Sequence, residues 1–551
     1  MGAPPSLVGN RPDHSARTIR STLSPYYFPI PTFDMCRRRW AVKQKIAQAR
    51  QTIHELTIAY EIALAKQFAW IAQFHRELNT LTPIGKLPPE LLVKIFGLCT
   101  PQAELEQLPI QNSYGWTAIT RVCHRWRIVA MEASELWTMI AADKVSGVKG
   151  FSMLSRNRLL TVQSSVTTDE AIAPLRTLLR LHPHRVETLW LSANHTVHNI
   201  ALERVSAPYL KALSLTNKDS FGPIPQFISN LSAPSLENLI LSGWWVCWKS
   251  AIFRCTITKL IIFGETIRRW TTPMGQDVWE EMLDALERMP KLEILDITNL
   301  LPSRLPESMR VVKLPHLQRI RLSDAISPCM QLLSSLLYPS NTFIVLKLGY
   351  PPVPYENDLA RTFSLPQNIA STAIIFAQDQ SEATLRGFSR VLPARQLAGN
   401  TIEPRIHATF SPLTEDNSSY AIAWFSSLLS SSRVESAFFG DILDTPANQA
   451  EIIDLSKSLS DVTQLCVRGT SCARLLPGLL KPQSSLIPLP RLRNLSLTNV
   501  DIQRMSRRFE TLQDVLRCRQ QLIMDAPLEK GWNVAKDGPI SKRLVKLFHF
   551  R

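Results

Sequence analysis

The stretch Leu87-Pro88-Pro89-Glu90-Leu91-Leu92-Val93-Lys94-Ile95-Phe96 decides how the rest of the chain is read. Proline at the first position of a helix lacks only an N–H that the helix would leave unpaired anyway. Glu90 in the first turn complements the positive helix end. Leu91, Leu92, Ile95, Phe96 and Cys99 then recur at helical spacing as an apolar stripe. Alone, this describes many ordinary helices. Downstream, Trp116, Ile119, Val122-Cys123-His124-Arg125-Trp126, Ile128, Val129 and Leu136-Trp137 read as two short helices and a tail, and the span from Pro88 to Trp137 is 50 residues. A three-helix unit of that size cannot bury so many Leu, Ile and Trp side chains unaided. A surplus of this kind marks a protein interface, or else packing on the helix before it or the segments after it.

Taken together the clusters resemble the F-box, which runs L-P-x-E-[LI]-x-x-x-[IV]-[FL], then [VS]-C-[KR]-x-W after a spacer, and finally L-W. Leu87, Pro88, Glu90, Leu91, Ile95 and Phe96 match the first part, and Val122, Cys123, Trp126, Leu136 and Trp137 the rest, with His124-Arg125 shifting the usual basic residue by one. The resemblance implies a three-helix domain over 83–140 that docks on the small adaptor of SCF ubiquitin ligases, and through it on the cullin scaffold. It places Leu87, Pro88, Leu91, Ile95, Val122, Cys123 and Trp126 against that adaptor.

Before this module, residues 1–36 carry six prolines among Ser and Thr and are expected to be a disordered tail, in which Met1–Ser6 fits the loose myristoylation pattern at Gly2. From Trp40 to Leu81 there is no proline or glycine. Ile46, Ile53, Tyr60, Gln67, Phe74 and Leu81 recur every seven residues, with Ala49, Leu56, Ala63, Trp70 and Glu77 three places later. This a/d pattern, broken at Gln67 and Glu77, predicts a long helix over 37–82 ended by Thr82-Pro83. A homodimeric coiled coil through 40–81 and a helix folded on its own domain both satisfy it.

After Gly150 the pattern becomes L-x-x-L-x-L, at Val186-Leu189-Leu191, Leu210-Leu213-Leu215, Leu236-Leu239-Leu241, Ile257-Leu260-Ile262, Leu292-Leu295-Ile297, Leu317-Ile320-Leu322 and Phe343-Leu346-Leu348. It weakens over 350–433 and resumes at Val434-Ala437-Phe439, Val462-Leu465-Val467 and Leu492-Leu495-Leu497. Starts 21 to 35 residues apart resemble leucine-rich repeats, each supplying one short parallel strand. The predicted fold is therefore a mixed α+β or α/β chain: a long helix and a three-helix domain, then an irregular leucine-rich solenoid over 150–500. An ordinary α/β domain with short strands is the alternative. The consensus asparagine is displaced, since Asn217, Asn299 and Asn499 sit one place early, which puts the asparagine ladder in doubt.

Side chains alternate along a strand, so the residues between the leucines point the other way. Ser214, Thr216, Ile240, Ser242, Asp296, Thr298 and Arg321 are the client-binding candidates, with Ile261, Phe263, Ser323 and Lys347 on the same side. Their mixed character suits protein recognition and shows no dominant charge. Trp244, Trp245 and Trp248 read as buried filler ahead of a substrate anchor. Residues 501–551 read as a basic cap and tail.

Composition limits the other classes. The net charge of +16 divides into +7 over residues 1–150, +5 over 501–551 and +4 over the 350 between them, which argues against a broad nucleic-acid face. No apolar run is long enough to span a membrane, and no signal-peptide core precedes the helix. The nine scattered cysteines form no C-x-x-C pair and read as reduced thiols of the cytosol or nucleus. No phosphate-loop, dinucleotide, zinc-protease or serine-hydrolase motif occurs. No cofactor, metal or catalytic residue is expected, and the chain is not read as an enzyme.

Overall fold

The computed structural model describes residues 33–101, 114–142, 145–165, 172–194, 206–218, 222–223, 231–264, 278–302, 310–349, 373–378, 382–388, 404–411, 433–440, 450–498 except 454, 457–458 and 482–488, and 514–515. The chain divides into two units, Met1–Leu87 and Pro88–Arg551. The expected tail up to residue 32, the segment 499–513 with Asn499, and the basic end beyond 515 lie outside the described residues.

The first unit is built on helix α1, Phe33–Leu81, 49 residues long. It starts earlier than its heptads do. The last proline of the preceding segment is Pro31, and Asp34 in the first turn complements the helix dipole while pairing with Arg38 at 3.2 Å. The expected disordered stretch therefore gives up its last four residues to the helix. Thr82 closes the other end, its hydroxyl donating to Asn79 O at 2.7 Å and accepting from Gly85 N at 3.1 Å. A Cβ on Gly85 would stand 1.9 Å from Asn79 O, so this turn needs glycine.

The second unit begins with helix α2, Pro89–Cys99, and helix α3, His124–Glu132, which is flanked by 3-10 helices at Gly115–Arg121 and Ser134–Trp137. Strand β1, Met139–Ala141, then pairs in parallel with β2, Leu160–Ser165. Helix α4, Val145–Leu154, lies between them in sequence, and its Phe151 packs its ring edge-on against Trp137 at 5.0 Å and Trp116 at 6.0 Å. The border expected near residue 140 thus falls inside a packed layer, with Tyr114 donating its hydroxyl to Ala141 O across it.

Beyond β2 the chain continues with β3 Val186–Ala193, β4 Ala212–Asn217, β5 Asn238–Ser242, β6 Lys259–Phe263, β7 Ile294–Thr298, β8 Arg319–Ala325 and β9 Phe343–Gly349. The later strands are β10 Ala373–Gln378, β11 Ala383–Phe388, β12 Ile406–Ser411, β13 Ser436–Gly440, β14 Gln464–Arg468 and β15 Asn494–Thr498. All fifteen join one sheet, in chain order except that β12, β11 and β10 follow β9 in that sequence. Among the described strands of this sheet, only β11 runs antiparallel to both neighbours. The interval where the leucine pattern faded is therefore where the parallel progression breaks.

Register explains the leucines. Leu189, Leu213, Leu239, Leu260, Leu295, Ile320 and Ile344 stand side by side on successive strands, and Leu191, Leu215, Leu241, Ile262, Ile297, Leu322 and Leu346 form a second row. None of them is more than 2% exposed. Each buried side chain of this size stabilises by about 1.5–3 kcal/mol, so the two rows form the spine of the core. Helix α5, Ile326–Ser334, joins β8 to β9 with Cys329, Leu332 and Leu333 buried.

One repeat is displaced from its expected frame. In the five units before it the first Leu or Ile precedes the strand, as Leu317 precedes Arg319. At β9 the strand starts on Phe343 itself, so strict alternation turns Phe343 away from Leu346, and it is 38% exposed opposite Arg319. The aligned pair is Ile344 and Leu346.

Of the displaced asparagines, Asn217 has a side-chain bond to a neighbouring strand's turn. Asn217 is buried and its Nδ2 donates to Gly243 O at 3.2 Å, beside Trp244, whose indole donates to Leu215 O at 3.1 Å. Gly243 has φ +76°, and a Cβ there would lie 2.9 Å from Asn217 O. Gly243→Ala is expected to destabilise the chain by about 1–3 kcal/mol through strain and clash, read as a lowered urea midpoint. An unchanged midpoint would show that this corner relaxes freely. Trp244 and Trp248 are fully buried, and Trp248 stacks on Phe253 at 5.2 Å, so the tryptophan cluster is core filler with Trp245 half-buried at its edge.

Candidate functional site

Helix α2 carries two apolar stripes with different fates. Leu92 and Phe96 are fully buried. Leu91, Ile95 and Leu98, one residue round the helix at i, i+4 and i+7, are 44%, 37% and 81% exposed. A helix needs one apolar stripe to reach its own core, and the second is surplus. The core beneath is aromatic: Phe96 meets Trp126 at 5.0 Å, and Trp116 meets Trp137 at 5.0 Å. The Trp137 indole donates to Ala130 O at 2.6 Å.

The turn into α3 is set by Cys123. In extended backbone at φ −155° and ψ 170°, its Sγ accepts from Trp126 N at 3.4 Å and caps the helix. Val122, just before it, is 61% exposed, and Ile128 and Met131 on α3 are also exposed, at i and i+3, while Val129 and Ala130 are buried. Each of the two packed helices therefore shows an inner apolar face and an outer one. Among the described residues no group of His, Cys, Asp or Glu could hold a metal ion. No helix among them is long and apolar enough to cross a membrane.

The sequence model of the F-box-like family matches residues 84–142. The chain carries an F-box-like domain. No curated protein matches the chain at a significant level. The F-box-like domain places the sequence-derived candidates unequally. Leu91, Ile95 and Val122 are exposed apolar groups, and Pro88 is exposed at the helix entry. Leu87 is half-buried after the turn Ile84–Lys86. Cys123 and Trp126 are half-buried, the first as a cap and the second stacked on Phe96, so they shape the F-box-like domain more than they present themselves. Leu98, the most exposed of α2, was missed along with Ile128 and Met131; continuing the Leu91–Ile95 spacing by three residues would have found Leu98.

The other candidate face belongs to the sheet. Ser214, Thr216, Ser242, Thr298 and Arg321 are half-exposed on the side away from the leucine rows. Ile240, Ile261 and Asp296 are buried at 7%, 3% and 4%, contrary to an open face through β5–β7. Asp296 is closed over by Arg321, whose Nη1 lies 3.2 Å from Oδ2. The neighbouring row stays open, with Phe263 of β6 38% exposed between Ser242 and Thr298.

Proposed function

We propose that this chain is the substrate-receptor subunit of an SCF-type ubiquitin ligase. Its F-box-like domain docks on the small adaptor and thereby on the cullin scaffold, and its sheet unit holds the client. The observation that supports this most is the exposed stripe Leu91–Ile95–Leu98 on a domain of that family. The chain itself supplies proximity and positioning; ubiquitin transfer belongs to its partners. We read the strands of the second unit as irregular leucine-rich repeats, a reading supported by the two aligned rows of Leu and Ile and by the Asn217 rung. We also propose that α1 pairs with a second copy, since Ile46, Ile53, Tyr60, Phe74 and Leu81 of its heptads are exposed. No disulfide forms among the described cysteines, in keeping with a cytosolic or nuclear complex.

Affinity purification of the full chain under proteasome inhibition tests this reading. Recovery of the adaptor, the cullin and a client whose half-life lengthens when the chain is removed supports it. Recovery of the adaptor with a client that is neither ubiquitinated nor destabilised replaces it with a scaffold role. Failure to recover the adaptor overturns it.

A further inference from the structure

Every residue of helix α1 from Asp34 to Leu81 is exposed. Most of a helix's stability in a protein comes from packing one of its faces. A helix that holds Trp40, Tyr60, Phe68, Trp70 and Phe74 in the open has surface to bury. Its heptads mark the face, and two asymmetries along its length decide which way round a second copy lies on it.

The first asymmetry is charge. From Phe33 to Ile53 the helix carries Arg37, Arg38, Arg39, Lys43, Lys45 and Arg50 against Asp34, a net +5 in which both members of the Asp34–Arg38 ion pair are counted. From His54 to Leu81 it carries Lys66 and Arg76 against Glu55, Glu61 and Glu77, a net −1. Glu55 and Glu77 accept hydrogen bonds from the neutral amides of Gln51 and Gln73, which leaves their charge in place. A parallel pair sets the basic half of one copy against the basic half of the other. An antiparallel pair sets each basic half against a nearly neutral one.

The second asymmetry is size. In a parallel pair each heptad residue meets itself, so Ala49 and Ala63 make thin layers, Tyr60, Trp70 and Phe74 make thick ones, and Glu77 faces Glu77. Turned end for end about a point between Glu61 and Ile62, the a and d residues interleave differently. Ala63 meets Tyr60, Ala49 meets Phe74, Ile53 meets Trp70, Leu56 meets Gln67 and Val42 meets Leu81. Small side chains then oppose large ones, which is how layers reach the density of a protein interior. Glu77 meets Ile46, with Lys43, Lys45 and Arg50 of the second copy within a turn of that layer. A carboxylate in an apolar seam needs such a cation, and it would be repelled by its own counterpart.

We infer that α1 binds a second copy of itself antiparallel, with Val42 level with Leu81 and Glu77 set among Lys43, Lys45 and Arg50. The inference deepens the self-pairing reading of α1 and rests on it. The two Leu81 positions then lie about 58 Å apart along the seam, the length of helix from Val42 to Leu81. The two chains therefore leave the helix pair at opposite ends.

The test uses the full chain with the photo-reactive amino acid p-benzoylphenylalanine in place of Val42. It is irradiated at a concentration where sedimentation equilibrium shows the dimer, and the joined peptides are read by mass spectrometry. The expected cross-link runs from the Val42 position to the stretch 77–86, which lies far beyond its reach on one straight helix. A cross-link between the two Val42 positions would mean a parallel pair; it would overturn the inference and keep the self-pairing reading. A chain that sediments as a monomer at tens of micromolar would overturn both. Glu77→Lys is expected to weaken the dimer at least about tenfold, because the new ammonium faces three cations, and adding Lys43→Glu with Lys45→Glu to the same chain is expected to restore it. A parallel pair would only exchange one like-charged layer for another, so unchanged affinity in Glu77→Lys also contradicts the antiparallel arrangement.

Discussion

Leu91→Asp combined with Leu98→Asp is expected to lower affinity for the SCF adaptor by at least about a hundredfold while leaving thermal stability within about 2 °C of the parent. Both side chains stand out from α2 in the free chain, at 44% and 81% exposed, so their replacement removes little packing inside the domain. In the complex each would sit in an apolar, water-excluded contact. Truncating such an anchor commonly costs about 2 kcal/mol or more, and a carboxylate forced into that environment adds its desolvation. Two anchors at that level give a factor near a thousand, so a hundredfold is a conservative floor. Leu92→Ala is the instructive comparison. Leu92 is fully buried, one residue round the same helix, and its loss is expected to cost about 2–5 kcal/mol of stability. Titration calorimetry beside a thermal melt separates the two: the aspartate pair fails to bind yet stays folded, whereas Leu92→Ala loses folding first. An aspartate pair that binds like the parent would remove the exposed stripe from the interface.

Trp137→Ala is expected to be the most damaging single change to the F-box-like domain, at about 3–5 kcal/mol. Trp137 is 5% exposed and contacts Trp116 and Phe151, both at 5.0 Å between ring centres. Its indole N–H also holds Ala130 O, pinning the end of α3. Because Phe151 belongs to α4, the damage should spread into β1 and β2 rather than stop at the domain edge. Trp137→Phe keeps much of the ring packing and drops the hydrogen bond, for an expected cost nearer about 1–2 kcal/mol. Hydrogen exchange at Val129, Ala130 and Ile140 reads both effects. If Ile140 kept its protection in Trp137→Ala, the coupling between the F-box-like domain and the sheet would be disproved.

The parts of this protein legible in its sequence are those governed by short periods. Helix α1, the proline-started α2 and the leucine positions of β3 to β8 each repeat an apolar residue at a spacing that one face of one element dictates. Residues whose role depends on register were not legible. Phe343 matched the leucine pattern but began its own strand, and alternation carried it to the other face. Arg386 and His407 lay in the stretch with the weakest signal, yet strand pairing sets His407 beside Val345 and Arg386 beside His407. Arg185 illustrates the same limit. It is 6% exposed and donates to Arg158 O, Ser152 O and Ser155 Oγ, tying the end of α4 to the start of β3, and no spacing rule marks an arginine for such a post. Within the docking surface, sequence matching named Cys123 and Trp126 for their conspicuous chemistry, while the geometry gives them inward duties and leaves the outward ones to Leu91, Ile95, Leu98 and Val122.

The central claim is that the second apolar stripe of α2, with its neighbours on α3, is one half of an interface with the SCF adaptor. Hydrogen exchange of the full chain with and without purified adaptor tests it most directly. The account predicts new protection confined to Pro88–Cys99 and Val122–Glu132, with the strands from β3 onward unchanged. Protection that appears on the sheet strands while α2 stays as it was, or no protection at saturating adaptor, would contradict it.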